Sequence, residues 1–217
     1  MKVIISCCSR KTGESFTHNG QPINFISRVN EVIENPGNYF HPDDLIPNEN
    51  SSWRDVITQQ EIRHDLIHAH ELYQDPIYNS LFDHFGIDLF IFSAGWGLVR
   101  ADYKLPRYDV TFSNRQRTPN YTRRDNNDHF NDFNQLLGLN PEELLLFMGG
   151  MDYVMPFYGL TENMPNEKII VYRNQNLLDN LPNLDNNNFQ FLYYQTNRCT
   201  NWHYEFAKRL INNEIEL

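Results

Sequence analysis

The first group with chemical potential follows the amino-terminal apolar run. Residues 2–6 are mostly β-branched and apolar, which predicts a buried strand ending at Ser6, and Cys7 and Lys11 follow it. A thiol close to cationic side chains is favoured as the nucleophilic thiolate, and a lysine beside another cation loses basicity. We therefore expect Cys7 and Lys11 to be catalytic. The alternative is that Cys7 or Cys8 is a small apolar residue at a strand end and that Lys11 pairs with a phosphate or carboxylate.

Two further predicted strands end in loops that combine glycines with polar or aromatic residues. Small residues let a ligand approach the backbone, and free amides can hold an anion where a helix begins. We expect Asp152 to orient the substrate or shuttle a proton. The substrate contacts predicted from the loops after all these strands are Ser6, Ser9, Thr12, Ser93, Gly95, Trp96, Gly97, Gly149, Gly150 and Tyr153. No loop matches a Walker or dinucleotide-binding motif, so we expect no cofactor.

Basic residues are concentrated in one segment of an acidic chain. The whole chain has a formal charge of −10, but residues 100–124 carry +5 and the remainder −15. Arg100 and Arg107 of this segment could hold a phosphate, and Trp96 beside it or Tyr108 within it could stack on a base. The alternative is a solvated loop whose arginines pair with acids elsewhere. The acidic total counts against general binding of nucleic acids, which depends on contacts with phosphates.

The order of predicted elements indicates an α/β fold. Strands are predicted at 2–6, 88–93, 144–148, 168–172 and 189–194, and helices at 22–34, 51–62, 65–73, 76–85, 125–137, 153–160 and 200–212. Strands separated by helices imply right-handed crossovers, a mostly parallel central sheet and helices on both faces. We expect a single domain over residues 1–217, with the ligand site at the carboxyl ends of the strands.

Composition excludes several classes of protein. The chain of 217 residues is 40% hydrophobic, which excludes collagen, coiled coil and wholesale disorder. Its 3 cysteines cannot build a disulfide framework, and no apolar run approaches the roughly 20 residues of a membrane span. The amino terminus also lacks the pattern of a signal peptide. We expect a cytoplasmic protein with no membrane partner.

A metal site is the weaker interpretation of one predicted helix. His64, His68 and Glu71 have the spacing of one helical face and could ligate a metal. Leu66 and Ala69 already explain this segment as an amphipathic element of the core, and no second motif completes a ligand set. We therefore predict no metal site.

The loops after the strands, taken in order, resemble the YaaA-like superfamily of peroxide-stress proteins and their short relatives. Residues 93–100 look like that family's Ser-Gly-x-aromatic-Gly-x-x-Arg segment, and Pro106-Arg107-Tyr108 is similar to its Pro-Tyr. Lys11-Thr12 resembles its Ala-Lys-Thr, and residues 150–153 occupy the place of a small residue followed by Asp-Glu-Tyr. Cys8-Ser9 and Leu72-Tyr73 are similar to features of the short relatives. The resemblance spans residues 1–172.

The resemblance implies a link to nucleic acids or their bases. The YaaA family is associated with survival of oxidative stress and with DNA binding. The first loop is also similar to the Cys-x-x-x-Lys…Ser-x-x-His element of archaeosine synthase, here Cys7, Lys11, Ser15 and His18. That enzyme joins an amino acid to a 7-deazaguanine base in transfer RNA. This chain differs from that element by having Thr12-Gly13 where a Pro-Tyr is expected.

These observations leave three hypotheses. The one we favour is a protein that binds or acts on a nucleobase, nucleotide or nucleic acid (DNA or tRNA) in a pocket at the strand ends. If it is an enzyme, we expect chemistry of the transferase or lyase type. The alternatives are a non-catalytic DNA-binding protein of the oxidative-stress response and a thiol-based sensor or interaction module in which Cys7 and Cys8 respond to peroxide.

Overall fold

A computed structural model describes most of the chain, apart from several segments within the first 65 residues and, in the second half, three segments and two single residues. The described residues are 1–7, 17–18, 21–22, 42–43, 45, 50–59, 66–108, 110–113, 122–124, 132–173, 188–198 and 200–217. The predicted helix at 22–34 lies outside them except for Pro22, which belongs to a short strand.

The described elements alternate between strands and helices. The strands are β1 Lys2–Ser6, β2 Thr17–His18, β3 Gln21–Pro22, β4 Ile67–His68, β5 Leu89–Ser93, β6 Gly97–Arg100, β7 Lys104–Leu105, β8 Val110–Thr111, β9 Thr122–Arg123, β10 Phe133–Asn134, β11 Leu145–Met148, β12 Lys168–Tyr172 and β13 Phe189–Tyr193. The helices are α1 Trp53–Thr58, α2 Ala69–Leu72, α3 Ile77–Phe85, α4 Val154–Thr161 and α5 Trp202–Ile211. Two 3₁₀ turns, Gly86–Asp88 and Met151–Tyr153, precede β5 and α4.

The central sheet confirms the α/β prediction. It has seven strands in the order β10-β6-β5-β1-β11-β12-β13. The pairs β1·β5, β1·β11, β11·β12, β12·β13 and β6·β10 are parallel, whereas β5 and β6 are antiparallel. The chain goes from β1 to β5 on one side and later adds β11 on the other side of β1. The strand order therefore reverses between β1 and β11, which is the switch point of a doubly wound sheet.

Helices cover the two faces of this sheet. Right-handed crossovers that run in opposite directions across a sheet place their helices on opposite faces, as the β1-to-β5 and β11-to-β12 connections do. α4 packs on the face that carries Phe147, whose ring stacks on Phe157 with centroids 4.3 Å apart. In the β1-to-β5 connection, α3 contacts both β5 and α5. The strand residues between these helices are almost entirely buried.

Local sequence signals explain several helix boundaries. The cap of α1 lies one residue later than the predicted cap at Ser51, because Ser52 forms a capping box with Asp55. α3 starts after Pro76, as expected, and ends at Gly86, which has a positive φ of 53°. No helix among the described residues is long and apolar enough to cross a membrane.

Two predicted helices are wrong where the structure describes them. In the segment predicted as helix over 125–137, Phe133 and Asn134 instead form β10, whose register pairs Phe133 with Gly97. The Phe133 amide donates to the Trp96 carbonyl, so the edge of the sheet overrides the amphipathic pattern. In the segment predicted as helix over 65–73, Ile67–His68 pairs with β7, and only Ala69–Leu72 is helical.

The carboxyl-terminal helix contains a buried histidine. His203 is 8% exposed, and its Nδ1 has no hydrogen-bond partner within the described part of the chain. Its ring packs edge-on against those of Trp202 and Tyr204. Burial lowers the pKa of His203 from 6.5 to about 4, because charging the ring in this apolar setting is unfavourable.

We predict that His203 makes the protein acid-sensitive. The unfolded chain protonates this histidine near pH 6.5 and the folded chain only near pH 4, so its contribution to stability is complete above 6.5 and is lost as the pH falls toward 4. Relative to His203→Leu, the wild type should lose about 3 kcal/mol of unfolding free energy over this range. Urea denaturation between pH 7 and pH 4 measures it. Parallel pH profiles for the two proteins would contradict the prediction.

Candidate functional site

The candidate site lies at the switch point, where the carboxyl ends of β1 and β11 are neighbours. Ile5 pairs with Met148, so Ser6 and Cys7 of one strand end adjoin Gly149 and Gly150 of the other. The Gly150 amide donates a hydrogen bond of 3.2 Å to Ser6 Oγ. Connections that leave such a pair toward opposite faces open a crevice in which ligands of doubly wound proteins bind.

Three of the four predicted ligand-contacting glycines are used for packing within the protein. A Cβ on Gly95 would lie 2.7 Å from Cδ2 of Tyr108, and one on Gly149 would lie 2.8 Å from Cβ of Ser6. Gly97, at a φ of +86°, lies against the backbone of Phe133. Among the residues that the structure describes, a Cβ on Gly150 would meet only the Tyr153 ring, at 3.7 Å. Gly150 is therefore the glycine of the set whose surroundings leave room for a ligand.

Cys7 is surrounded by hydrogen-bonding groups. Its side chain is 6% exposed, and its sulfur lies 3.0 Å from the hydroxyl of Tyr153. Tyr108 donates its hydroxyl proton to the same sulfur over 3.3 Å, and the Ala94 amide donates over 3.4 Å. Three elements distant in sequence thus converge on one thiol. This arrangement places Cys7, Ser93, Tyr108 and Tyr153, all predicted site residues, in one cluster.

The hydroxyl of Tyr108 is itself part of a short chain of hydrogen bonds. Ser93 Oγ donates to it over 2.8 Å, and the Tyr73 hydroxyl lies 2.8 Å away. Ser93 Oγ also accepts the Trp96 amide. The Ser93 hydroxyl is therefore used as a hydrogen-bond donor to Tyr108 in this structure, and its predicted contact with a ligand would need that hydrogen bond to rearrange.

Ionisation of the two tyrosines beside Cys7 is strongly disfavoured. Burial, and next the neighbouring Cys7 sulfur, raises the pKa of Tyr108 well above its usual value of 10. The same two causes raise the pKa of Tyr153. Both hydroxyls therefore remain protonated across the physiological range, so each keeps a proton that it can donate.

The predicted stacking role of Trp96 and Tyr108 needs exposed ring faces that the structure does not supply. Both side chains have no exposed surface. Trp96 packs edge-on against Trp53 at 5.9 Å and against Tyr108 at 6.1 Å between ring centroids. In this conformation both rings belong to the core.

Arg100 of the basic segment does not lie at this edge of the sheet. Arg100 pairs with Phe90 at the amino end of β5, about 10 Å along the strand from Ser93. It is exposed and forms a salt bridge with Asp102. Arg107 is half-buried in the segment that leads into Tyr108. Arg100 is therefore not positioned to hold a phosphate in the crevice between β1 and β11.

Arg124 is a buried cation that the sequence analysis did not single out. It binds Asp132 with two hydrogen bonds of 2.8 and 2.7 Å and donates to the Ala94 carbonyl over 3.0 Å. Both side chains of the ion pair are about 5% exposed or less. Arg124 pairs with an acid outside the basic segment, as the alternative interpretation of that segment predicted, whereas Arg100 pairs with Asp102 inside it. Arg124 also fixes the Ala94 turn, whose amide contacts Cys7.

Asp152 is the one remaining predicted site residue that the structure describes. Asp152 is half-buried in the turn after Gly150, and no hydrogen bond or ion pair links its carboxylate to another described residue. Ser9, Lys11 and Thr12 lie outside the described residues, as do Cys8 and Ser15. Their predicted roles therefore stay predictions.

The metal interpretation gains no support from the described residues. His68 belongs to β4 rather than a helix, and its Nδ1 contacts the Asp102 carbonyl at 2.6 Å. Among the residues that the structure describes, no group of three or more His, Cys, Asp or Glu could hold a metal ion. His64 is outside this set.

Two tyrosines at the site were not among the residues predicted to form it. Tyr73 reaches the hydroxyl of Tyr108, and Tyr78 donates to the Ser6 carbonyl over 2.8 Å. Both are buried, with rings 5.0 Å apart, so they belong to the core as well as to the site. The signal that could have indicated their role is the hydroxyl itself, because a buried hydroxyl needs a partner.

The fold and the site define a doubly wound α/β protein with a thiol–tyrosine cluster at its switch point. Comparison of the chain with protein-family models, curated proteins and solved structures found no match. The resemblance to the YaaA-like superfamily accordingly remains a prediction from the motifs.

We predict that Gly149→Ala destabilises the protein. The added Cβ would lie 2.6 Å from Cζ of Phe147 and 2.8 Å from Cβ of Ser6, both in the packed sheet. Such overpacking should cost roughly 1–3 kcal/mol in unfolding free energy. Urea denaturation measures this change.

Gly159→Ala is the matched control for this prediction. Its Cβ would meet nothing within 4 Å in the described part of the chain, and α4 should gain up to about 1 kcal/mol from the better helix former. Equal stability of the two variants would contradict the close approach of β1 and β11.

Proposed function

We propose that this protein binds a nucleobase, alone or as part of a nucleotide or nucleic acid, in the crevice between the ends of β1 and β11, and acts on it through Cys7. The observation that carries the proposal is the convergence of Cys7, Tyr108 and Tyr153 at the sheet's switch point, beside the open backbone of Gly150. If the protein is an enzyme, a transferase or lyase reaction fits a site with a nucleophile and proton donors. Membership of the YaaA-like superfamily is part of this proposal.

The described groups of the crevice favour a base over a phosphate. They are hydroxyls, a thiol and the carboxylate of Asp152, which suit the amino and imino N–H groups at the edge of a base. A phosphate requires cations or free amides, and the described Arg100 and Arg124 are paired with Asp102 and Asp132. Lys11, which follows Cys7 in the sequence, is the predicted group that could add a phosphate contact.

The alternatives of DNA binding and thiol sensing predict different responses. A DNA-binding protein would respond to oligonucleotides with strong salt dependence but not to free bases. A thiol sensor would respond to none of these ligands, while Cys7 or Cys8 would be oxidised by mild peroxide.

A thermal-shift screen against bases, nucleosides, nucleotides, inorganic phosphate and short DNA and RNA tests the proposal. A ligand at 100 times its Kd adds about 2.7 kcal/mol, and each kcal/mol raises Tm by about 2–4 °C for a protein of this size. We expect bases or nucleosides to raise Tm and phosphate alone to have no effect. A response to oligonucleotides alone that falls steeply as salt rises, or no response at all, would contradict the proposal.

Two variants locate the binding site. Gly150→Ala adds a methyl that only Tyr153 contacts in the described structure, so the fold should survive while the ligand is excluded. Asp152→Asn removes a carboxylate without changing its shape. We expect each substitution to weaken the apparent affinity for the ligand at least about tenfold, the scale of one hydrogen bond to a charged group. The Tm shift should become smaller accordingly.

Matched controls make the same changes elsewhere. Gly159→Ala lies on α4, and Asp83→Asn removes an exposed carboxylate from α3. Both should keep the ligand response. Arg100→Ala tests where the site lies. Loss of the response in this variant would restore the phosphate role predicted for Arg100 from the sequence and would contradict a site between β1 and β11.

A further inference from the structure

The peptide group that leads into Cys7 is held from both ends. Its carbonyl, that of Ser6, accepts the hydroxyl of Tyr78 over 2.8 Å. Its amide, that of Cys7, donates to the Phe92 carbonyl over 2.9 Å. The Tyr78 hydroxyl lies 3.1 Å from that of Tyr204 on α5. The backbone therefore presents the Cys7 side chain in one direction, toward the tyrosine hydroxyls.

The direction of the hydrogen bonds at Cys7 is set by the groups behind them. Ser93 donates to Tyr108, and Tyr108 donates to the sulfur. The Ala94 amide also donates to it, and Arg124 holds the carbonyl of the same residue. The sulfur thus accepts hydrogen bonds from donors whose positions are fixed. Cys7 would not need such an arrangement as an apolar filler at a strand end, because burying a small thiol requires no donors.

We propose that Tyr108 and Tyr153 are positioning residues for Cys7, holding its sulfur by hydrogen bonds as the nucleophile of the site between β1 and β11. The inference rests on the proposed function in that Cys7 is its reactive group. Ser93 and Tyr73 complete the arrangement by orienting the Tyr108 hydroxyl. Donors that converge on a sulfur stabilise the negative charge of its attacking form, and a fixed sulfur attacks from one direction.

The reactivity of Cys7 with iodoacetamide tests this role without any ligand. In that reaction the sulfur forms a bond to the reagent's methylene carbon, iodide leaves, and the thiol proton passes to the buffer. Peptide mass spectrometry gives the rate for Cys7 separately from Cys8 and Cys199. We expect Tyr108→Phe and Tyr153→Phe each to slow the reaction about tenfold at constant pH, because each removes one donor to the charged sulfur.

A spectroscopic signature separates positioning from a purely structural role. The infrared S–H stretch of Cys7, isolated by subtracting the spectrum of Cys7→Ser, reports hydrogen bonds at that sulfur. We expect the band to change in both tyrosine variants. Tyr194→Phe is the control, because it removes a buried hydroxyl that donates to Glu205 and does not contact Cys7. This control should leave both the band and the rate as in the wild type.

The proposal is overturned if Tyr108→Phe and Tyr153→Phe leave the band unchanged, or if Cys7 reacts at an unchanged or faster rate. Circular dichroism establishes that each variant is folded. If either does not fold, Ser93→Ala retains both tyrosines, removes the donor to Tyr108 together with the acceptor of the Trp96 amide, and should slow the reaction in the same direction. An unchanged rate in Ser93→Ala would then overturn the proposal.

Failure of this inference is distinguishable from failure of the proposed function. The alkylation and infrared measurements use the protein without ligand, and the thermal-shift screen does not depend on the state of Cys7. A ligand response with unchanged Cys7 chemistry in the tyrosine variants would leave base binding intact and remove the positioning role. The reverse result would leave a tyrosine-held thiol whose substrate is not a base.

Discussion

The position of β1 between β5 and β11 is the constraint on which the candidate site depends. Its parallel registers pair Ser6 with Phe92 on one side and Ile5 with Met148 on the other. The three strands therefore end at the same level, and the residues that follow them meet. Because the strand order reverses here, the connections after β1 and β11 leave the sheet on opposite faces. A crevice at this point follows from topology, whatever side chains line it.

Close packing decides how the residues around this crevice are used. Gly95 accommodates the Tyr108 ring, and Gly149 accommodates the side chain of Ser6, so two glycines that look like contacts for a ligand serve the protein's own interior. Interiors are packed as densely as organic crystals, which leaves little unclaimed space beside a backbone. Gly150, one residue beyond the end of β11, escapes this requirement because the sheet has ended there.

The polar groups in this aromatic region are coupled to one another. Burial of a hydroxyl without a partner is costly, so the hydroxyls of Tyr73 and Ser93 both bond to that of Tyr108, which in turn donates to Cys7. The raised pKa values of Tyr108 and Tyr153 have the same origin, because an ionised phenol would be desolvated and close to the sulfur. The environment that stabilises the core thus also keeps proton donors next to a nucleophilic side chain.

Much of the fold could be predicted from the sequence, whereas the candidate site could be predicted only in part. The strand predicted at 168–172 is observed as Lys168–Tyr172, because apolar β-branched runs of that length encode buried parallel strands. Cys7 and Tyr153 were predicted from their places after strands, a rule that needs only chain order. Phe133 was assigned to a helix, because periodicity does not show that the edge of a sheet offers hydrogen bonds to it.

The arginines show the limit of sequence reasoning most clearly. Arg100 follows Ser93 by only a few residues, yet β6 runs antiparallel to β5 and carries it to the opposite end of the sheet. The sequence by itself determined which strands are buried, through its apolar runs, and which loops follow them, through its order. The tertiary structure alone decided which side chains meet, because strand direction and packing depend on contacts between residues that are far apart in the chain.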